Sequence, residues 1–407
     1  MDTGSIAWML TATLLVLFMT PGLAFFYGGL VRGRNVVSTL MYSFIAMGVA
    51  SIVWVLWGYS LAFNDIGNGV VGGLDFIGLA GVSHTEGDGI PDLLFAAFQM
   101  TFAIITPALI TGAFVERFKF TTYLIFLVLW VTLVYAPVCH WVWGGGWIGG
   151  LEGGALDFAG GTVVHINAGI AAVAAAYLVG KRRSPGIEPH HVPFVVLGAA
   201  ILWIGWFGFN AGSQLAADGV AVQAFVNTNT AAAVAAVAWA LLSYIHTGRI
   251  SAVGVATGVV AGLVAVTPAA GWVGTMGSFA IGLGAGIICH YAVHFEILHK
   301  IGIDDSLEVF AVHGLGGIWG ALATGIFAWG ALTGSDGGLV NGNAGHFVAN
   351  IIAVVATLAY SGIVSFIILF VLDKIPGLGL RIAESDEDIG IDITAHGERG
   401  YVADGAD

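Results

Sequence analysis

Charged side chains are scarce in this sequence: Asp, Glu, Lys and Arg make up only 9% of its 407 residues. Soluble domains average about 25% charged residues. Together with 58% hydrophobic residues and a mean hydropathy of +0.92, this scarcity excludes an ordinary soluble domain. Apolar runs of about twenty residues recur along the chain, and each can cross a hydrocarbon core of about 30 Å. We therefore predict an all-α integral membrane protein.

Cysteine is also rare, and its two copies, Cys139 and Cys289, lie in apolar runs without C-x-x-C spacing. We predict that both are buried as small hydrophobic side chains. Walker motifs, cofactor fingerprints and nucleophile–base patterns are absent from the sequence. The expectation is therefore no enzyme, no cofactor and no nucleic-acid partner.

Glycine, in contrast, is abundant, with 62 residues spread among the apolar runs. Inside a water-soluble helix each glycine would cost about 1 kcal/mol relative to alanine. In lipid, small residues let two helix backbones approach closely. The glycines therefore predict a tightly packed bundle of membrane helices.

Hydropathy divides the chain into eleven predicted spans: 6–31, 36–63, 91–115, 121–139, 162–180, 193–213, 220–246, 252–270, 272–299, 306–330 and 346–372. The first run has no basic segment before it and is too long for a signal peptide, so we count it as a membrane helix. All twelve Lys and Arg residues follow odd-numbered spans. Because basic loops face the cytoplasm, the N-terminus is predicted outside and the C-terminus inside.

A short pattern occurs twice: VVHINAGI in span 5 and VHGLGGI in span 10 both place Gly-Ile four residues after a histidine. Spans 5 and 10 run in opposite directions, as inverted five-helix repeats would. We predict a transmembrane domain over 1–372, with repeats at 6–180 and 193–330 and a final helix at 346–372. Residues 373–407 form a predicted cytoplasmic regulatory tail.

Two of the twelve histidines, His165 and His313, lie deep inside apolar spans. An ionisable group at such depth usually faces a cavity or a partner, although a neutral histidine can also join two helices by bonding a carbonyl. Because the two histidines occupy equivalent positions in the two repeats, we expect their side chains to meet across a central path. No H-x-x-x-H or H-E-x-x-H pattern surrounds them, so neither a metal nor a haem site is favoured there. Two neutral imidazoles could instead bond a small polar molecule or relay a proton.

Aromatic residues from three segments are predicted to converge near the outer face. Phe98 and Phe102 share one face of span 3, and the end of span 6 brings Phe209 and Ser213. Trp143 lies in the predicted outer loop before span 5. Each aromatic alone would fit an interfacial belt or a core. Together they suggest a cage for a small cation, which an aromatic face attracts by roughly 0.5–2 kcal/mol.

These motifs, taken in order, make nearly the whole chain resemble the ammonium transporter family of Amt, Mep and Rh proteins. The similar stretches are DFAGGTVVHINAG (157–169), GWFGFNAGS (205–213), VWGGG (142–146), VTPAAG (266–271), VFAVHG (309–314) and GIDITAHGERGY (390–401). Trp143 and Ser213 together favour the Amt/Mep branch over the Rh proteins. The resemblance implies a homotrimer in the plasma membrane, with one pore per subunit, that conducts ammonium or ammonia and accepts methylammonium.

The resemblance also implies roles for individual residues: recruitment of ammonium by Trp143, Phe102 and Ser213, a gate of Phe102 and Phe209, and a pore lined by His165, His313, Trp206 and Thr267. Asp157 would brace the mouth and Phe98 would support the gate. Glu308 stands where the family commonly has Asp, and we expect it to orient the inner vestibule.

Ammonium can lose a proton and potassium cannot, which suggests a mechanism. We hypothesise that the cation is caught outside, is deprotonated near the gate, and crosses as ammonia past the two histidines. The alternative function is an ammonium sensor with little flux. The tail resembles one that docks a PII-type signalling protein, whereas its acidic stretch at 384–392 would also fit a disordered segment.

Overall fold

The computed structural model describes residues 1–186 and 188–401, which form a helical bundle. Within those residues the only β-pairing consists of two isolated bridges. We number the apolar helices in chain order: α1 Thr3–Leu30, α2 Gly33–Phe63, α3 Asp92–Ala113, α4 Phe120–Trp143, α5 Gly161–Val179, α6 Val192–Gly212, α7 Gly219–Thr247, α8 Ala252–Val266, α9 Thr275–Lys300, α10 Phe310–Phe327 and α11 Gly345–Lys374. The predicted all-α membrane architecture is confirmed.

Ten of these helices are long and apolar enough to cross a membrane, and α8 is shorter. The prediction extended this span to residue 270, but the helix ends at Val266 and turns follow around Pro268, which has no backbone N–H to continue it. Its 15 residues reach only about 22 Å at 1.5 Å per residue. The count of eleven crossings and the orientation of the termini therefore stay predictions.

The prediction for span 4 was too short at its C-terminal end. The helix continues to Trp143, and the Gly144 amide still donates to the His140 carbonyl at 3.0 Å. Trp143 therefore ends a helix and does not lie in a loop, which gives its indole ring a rigid support.

Glycines lie where helix backbones come closest, as the composition predicted. A Cβ added to Gly198 of α6 would lie 2.3 Å from the Phe26 backbone nitrogen of α1. On the other side of the bundle, a Cβ on Gly262 of α8 or Gly282 of α9 would lie 2.4 Å from the Ala231 carbonyl of α7. Any larger side chain would push these helices apart.

The helices that carry His165 and His313 share an irregularity. Both α5 and α10 open with a π-helical turn, at Gly161–Ile166 and Phe310–Gly314. Such turns are rare and often occur at functional sites. Their presence at matching places supports the inverted-repeat hypothesis, which remains a prediction.

The tail packs against the end of the bundle that carries the basic residues, which we call the basic end. The Asp392 carboxylate accepts hydrogen bonds from the Val37 and Ser38 amides at 2.9 and 2.8 Å, near the start of α2. The Arg183 side chain forms an ion pair with Glu384. The backbone N–H of Arg183 donates to the Glu387 carboxylate at 2.7 Å. These contacts speak against a disordered tail up to residue 401.

Candidate functional site

Two of the predicted recruitment residues, Trp143 and Ser213, lie at the mouth of the bundle, at the ends of α4 and α6, and the third, Phe102, lies deeper, inside α3. Trp143 is half-buried, and its indole N–H donates to the Asp157 carbonyl at 2.9 Å. The Phe102 ring meets Trp143 edge-on, with centroids 6.0 Å apart. Ser213, also half-buried, donates to the Phe209 carbonyl at 2.8 Å. The structure therefore gathers these aromatic faces at a mouth that is partly open to solvent.

Two phenylalanine rings close the way below this mouth. Phe102 and Phe209 are fully buried, with ring centroids 4.2 Å apart and ring planes tilted by 31°. Phe98 supports Phe102 from behind at 5.0 Å. A Cβ on Gly212 would lie 3.1 Å from the Phe98 ring, so this glycine leaves room for the support. The arrangement fits the predicted gate.

His165 and His313 meet directly below the gate. The Nδ1 atoms of His165 and His313 lie 3.2 Å apart, and the rings are nearly parallel with centroids 5.3 Å apart. One Nδ1 must donate and the other accept, so the two neutral rings take opposite tautomers. Nε2 of His165 is buried and has no hydrogen-bond partner among the described residues. A ring nitrogen is therefore left for a small polar guest.

The glycine that follows each histidine by four residues explains this close approach. A Cβ on Gly169 would lie 2.5 Å from the backbone of Gly314, beside His313. A Cβ on Gly317 would lie 3.1 Å from the Cβ of His165. The repeated His-x-x-x-Gly-Ile pattern thus places each glycine against the other histidine's backbone, where a larger residue would separate the rings.

A narrow cavity lies beside the two histidines and extends to Phe209 of the gate. Its volume of about 10 Å³ is near the smallest that holds one water-sized molecule. Its walls are Met19, Leu23, Phe26, Ile105, Leu109, Val164, His165, Leu202, Trp206, Phe209, Val260 and His313. Apart from the imidazoles and an indole, the walls are apolar, so the cavity favours a neutral guest.

Thr267, predicted to line the pore, is absent from the cavity wall. It accepts a hydrogen bond from the Trp206 indole at 2.8 Å and donates to the Leu263 carbonyl at 2.8 Å. Its place in the pore wall therefore stays a prediction, and in the structure its hydroxyl faces the indole. Thr267 therefore holds Trp206, whose ring stacks on His165 at 5.4 Å.

Asp157 lies beneath the mouth and acts on the backbone. Its carboxylate accepts hydrogen bonds from the amides of Gly160, Gly161 and Thr162 at 2.6–2.8 Å and from the Thr162 hydroxyl. Because these amides begin the helix that carries His165, the carboxylate caps that helix. This position fits the predicted bracing role.

At the basic end, a larger cavity of about 510 Å³ is lined by Arg182, His299, Asp304 and Glu308 among others. Burial raises the pKa of Glu308 to about 8, helped by the nearby Asp305. One Glu308 oxygen lies 3.3 Å from Nδ1 of His299. Sequence reasoning identified Glu308 but not His299, since no motif joins the end of α9 to the segment that precedes α10.

Hydrogen bonds set the charge of Asp304 in this cavity. Although burial alone would raise its pKa, hydrogen bonds from His299 and Arg182 hold the pKa of this carboxyl well below its usual range. Arg182 approaches it through two nitrogens, at 2.9 and 2.6 Å. The cavity therefore combines a fixed anion at Asp304 with a protonatable carboxyl at Glu308.

Comparison with known proteins identifies the family of this chain. The sequence model of the Ammonium Transporter Family matches residues 7–401. An ammonium transporter of Bacillus subtilis is 49% identical, over 98% of this chain and 99% of its own. The structure of Saccharomyces cerevisiae Mep2 matches with a TM-score of 0.90 at 36% identity, covering 100% of this chain and 93% of that one. A structure named Sensor Amt Protein matches with a TM-score of 0.88 at 30% identity, covering 97% and 98%. The chain belongs to the ammonium transporter family, as a multi-pass protein of the cell membrane that transports ammonium.

Proposed function

We propose that this chain transports ammonium by separating the proton from ammonia at the gate, where water at the partly open mouth accepts the proton. The observation that carries the proposal is the pair of imidazoles 3.2 Å apart in an apolar cavity directly below two closed aromatic rings. Such a cavity admits a small neutral molecule far more readily than an ion.

The energetics make deprotonation necessary. Transferring an intact ion into an apolar interior costs tens of kcal/mol in the Born limit. The aromatic faces of Trp143 and Phe102 return only about 0.5–2 kcal/mol each, which is enough to attract the cation but not to carry it inward. Potassium cannot give up its charge, so it stops at the mouth, whereas ammonium proceeds as ammonia.

Each residue then has a defined role. Trp143, Phe102 and Ser213 hold the cation at the mouth, and the rings of Phe102 and Phe209 keep water out. Ring nitrogens of His165 and His313 form hydrogen bonds with the ammonia, and these bonds replace its lost hydration. Beyond them the cavity at the basic end offers Glu308 as a group that can exchange a proton at neutral pH.

Reconstitution into proteoliposomes tests the histidine pair. Radiolabelled methylammonium uptake and potassium permeability would be measured at a set voltage for the His165→Ala/His313→Ala variant. We expect ammonium selectivity to fall, either because uptake is lost or because potassium enters. His140→Ala is the matched control, since His140 is equally buried but bonds the Ala62 carbonyl, and it should keep potassium out. Unchanged ammonium current and potassium exclusion in the double variant would refute the assigned role.

We also propose that the chain assembles as a homotrimer and that a PII-type signalling protein binds the basic end. The tail residues Asp392 and Glu387 already contact this surface, so a partner there would touch both the tail and the loops near the second cavity. Light scattering of the purified protein tests the first point. Co-purification with a PII-type protein, with and without residues 384–407, tests the second.

The alternative of a sensor with little flux would use the same mouth. The Bacillus relative is a transporter, and the cavity and histidine pair lie on a path that a mere receptor would not need. We therefore propose transport, and not sensing or catalysis, as the activity of this chain.

A further inference from the structure

Three histidines cluster outside the proposed transport path, on α7 and α9. His246 lies in the last turn of α7, and His290 and His294 lie one turn apart on α9. A nitrogen from each ring lies within 4.8 Å of a nitrogen from the other two. The sequence carries the pattern H-x-x-x-H at 290–294, whereas His246 lies 44 residues earlier and belongs to no motif with it.

The geometry is close to that of a bound metal ion. Zinc binds imidazole nitrogens at about 2.0–2.1 Å in a tetrahedral arrangement, which sets neighbouring nitrogens roughly 3.3 Å apart. Nδ1 of His246 lies 3.1 Å from Nε2 of His290. The His246 and His294 rings are parallel within 11°, with centroids 4.6 Å apart. The lone pairs of stacked rings do not converge, so the exposed rings of His246 and His294 must turn about their side-chain torsions to bind one ion together with His290.

A simple hydrogen bond explains the cluster less well. One bond can join His246 to His290, but it gives His294 no partner in the group. Nδ1 of His290 is buried and has no hydrogen-bond partner among the described residues. If that nitrogen carries the proton, Nε2 offers its lone pair toward the other two rings, as a metal ligand must.

The surroundings favour a transition metal with an open position. His290 is buried, and an edge of the Trp239 indole packs on it at 5.2 Å, which holds the ring in place. His246 and His294 are exposed, so water can complete the coordination. Three imidazoles without an oxygen ligand suit zinc, copper or nickel and do not suit magnesium or calcium.

We propose that His246, His290 and His294 form a binding site for a divalent transition-metal ion, with Zn²⁺ as the best fit. The bound ion would tie the end of α7 to α9 at the basic end. Cys289, next to His290, lies close to Gly316 of α10, the helix that carries His313. The site therefore braces helices behind the transport path without entering it.

Metal binding to the full chain tests the proposal. The protein would be purified in detergent through a tag without histidine, stripped with a chelator, and equilibrated with Zn²⁺. We expect about one ion per chain, and a Co²⁺ complex with the strong absorption of tetrahedral coordination. His294→Ala should weaken Zn²⁺ binding by at least about tenfold, the low end of what losing even a partner of a ligand costs. The matched control is His84→Ala, which removes another exposed histidine and should bind as wild type.

The outcomes separate this site from the transport function. His246 and His294 are exposed, so their alanine variants should fold even if His290→Ala does not. Methylammonium uptake by these variants should stay within about twofold of wild type in metal-free buffer, which would show that the chain is folded. Absence of stoichiometric Zn²⁺ binding in wild type, or wild-type affinity in both exposed variants, would overturn the proposal while leaving transport untouched.

Discussion

Two regions of this protein bury polar side chains in opposite ways. At the basic end, the guanidinium of Arg117 is fully buried, and its nitrogens donate to four backbone carbonyls and the Ser306 hydroxyl at 2.6–3.2 Å. In the passage from the gate to the histidine pair, His165 has only the ring of His313 as partner, and its Nε2 has none among the described residues. Saturated bonding is typical of a structural group, whereas the unused nitrogen of His165 belongs to a residue that lines a cavity and is available to a guest.

The comparison also explains where charge is tolerated. Asp304, a buried carboxylate at the basic end, is surrounded by partners, since Arg182 and His299 both lie within hydrogen-bond distance of it. The passage contains no Asp, Glu, Lys or Arg in its cavity wall. The basic end therefore holds ions and the passage excludes them. The difference depends on how many hydrogen bonds each region supplies to a charged group.

The largest expected effect comes from breaking the saturated region. Arg117→Ala leaves several carbonyls and the Asp304 region without their buried donor, so the unfolding free energy should fall by about 3–5 kcal/mol. Thermal unfolding in detergent measures the loss. Arg249→Ala removes an exposed arginine and should change the unfolding temperature little. Equal stability of the two variants would show that the bonds of Arg117 are not structural.

The titration of Glu308 at the basic end predicts how stability changes with pH. Burial raises the pKa of Glu308 from 4.5 to about 8, so folding favours its protonated form. Its contribution to stability is present below pH 4.5 and is lost as the pH rises through about 8. We expect the unfolding temperature of wild type to fall over this range, and Glu308→Gln to flatten the fall. The same pH slope in Glu308→Gln would assign the titration to another group.

A smaller effect is expected at the mouth of the passage. Phe102→Leu keeps an apolar side chain but removes a ring that faces the cation, which costs about 0.5–2 kcal/mol. The KM for methylammonium should therefore rise about 2- to 30-fold, while stability changes little. Phe98→Leu, one turn away and behind the gate, is the matched control and should keep its KM. An equal change in both variants would mean that packing, and not attraction of the cation, sets the affinity.

Most of the fold could be predicted from residue types in order along the chain. Long apolar runs set the helices within a few residues, as at α2, predicted at 36–63 and found at Gly33–Phe63. The ends were less accurate where one residue decides them: α8 stops before Pro268, and α4 continues to Trp143. Hydropathy averages over many residues and cannot locate a single missing N–H.

The candidate site, like the fold, could be predicted from the sequence only in part. The resemblance identified His165, His313 and the gate rings, and the structure places them together as one stack. The resemblance did not reveal that Thr267 holds the Trp206 indole or that Glu308 faces His299. Nor did it reveal that His246 faces His290 and His294. Each of these relations joins side chains from separate segments, which meet only once the segments have packed.

The sequence by itself determined that this protein resides in a membrane, which segments form its helices, and which family it belongs to, because hydropathy and motifs are properties of neighbouring residues. Only the tertiary structure decided that two imidazoles 148 residues apart come within 3.2 Å. That distance depends on Gly169 and Gly317 bringing two backbones together, and a contact between helices exists only once the helices have packed.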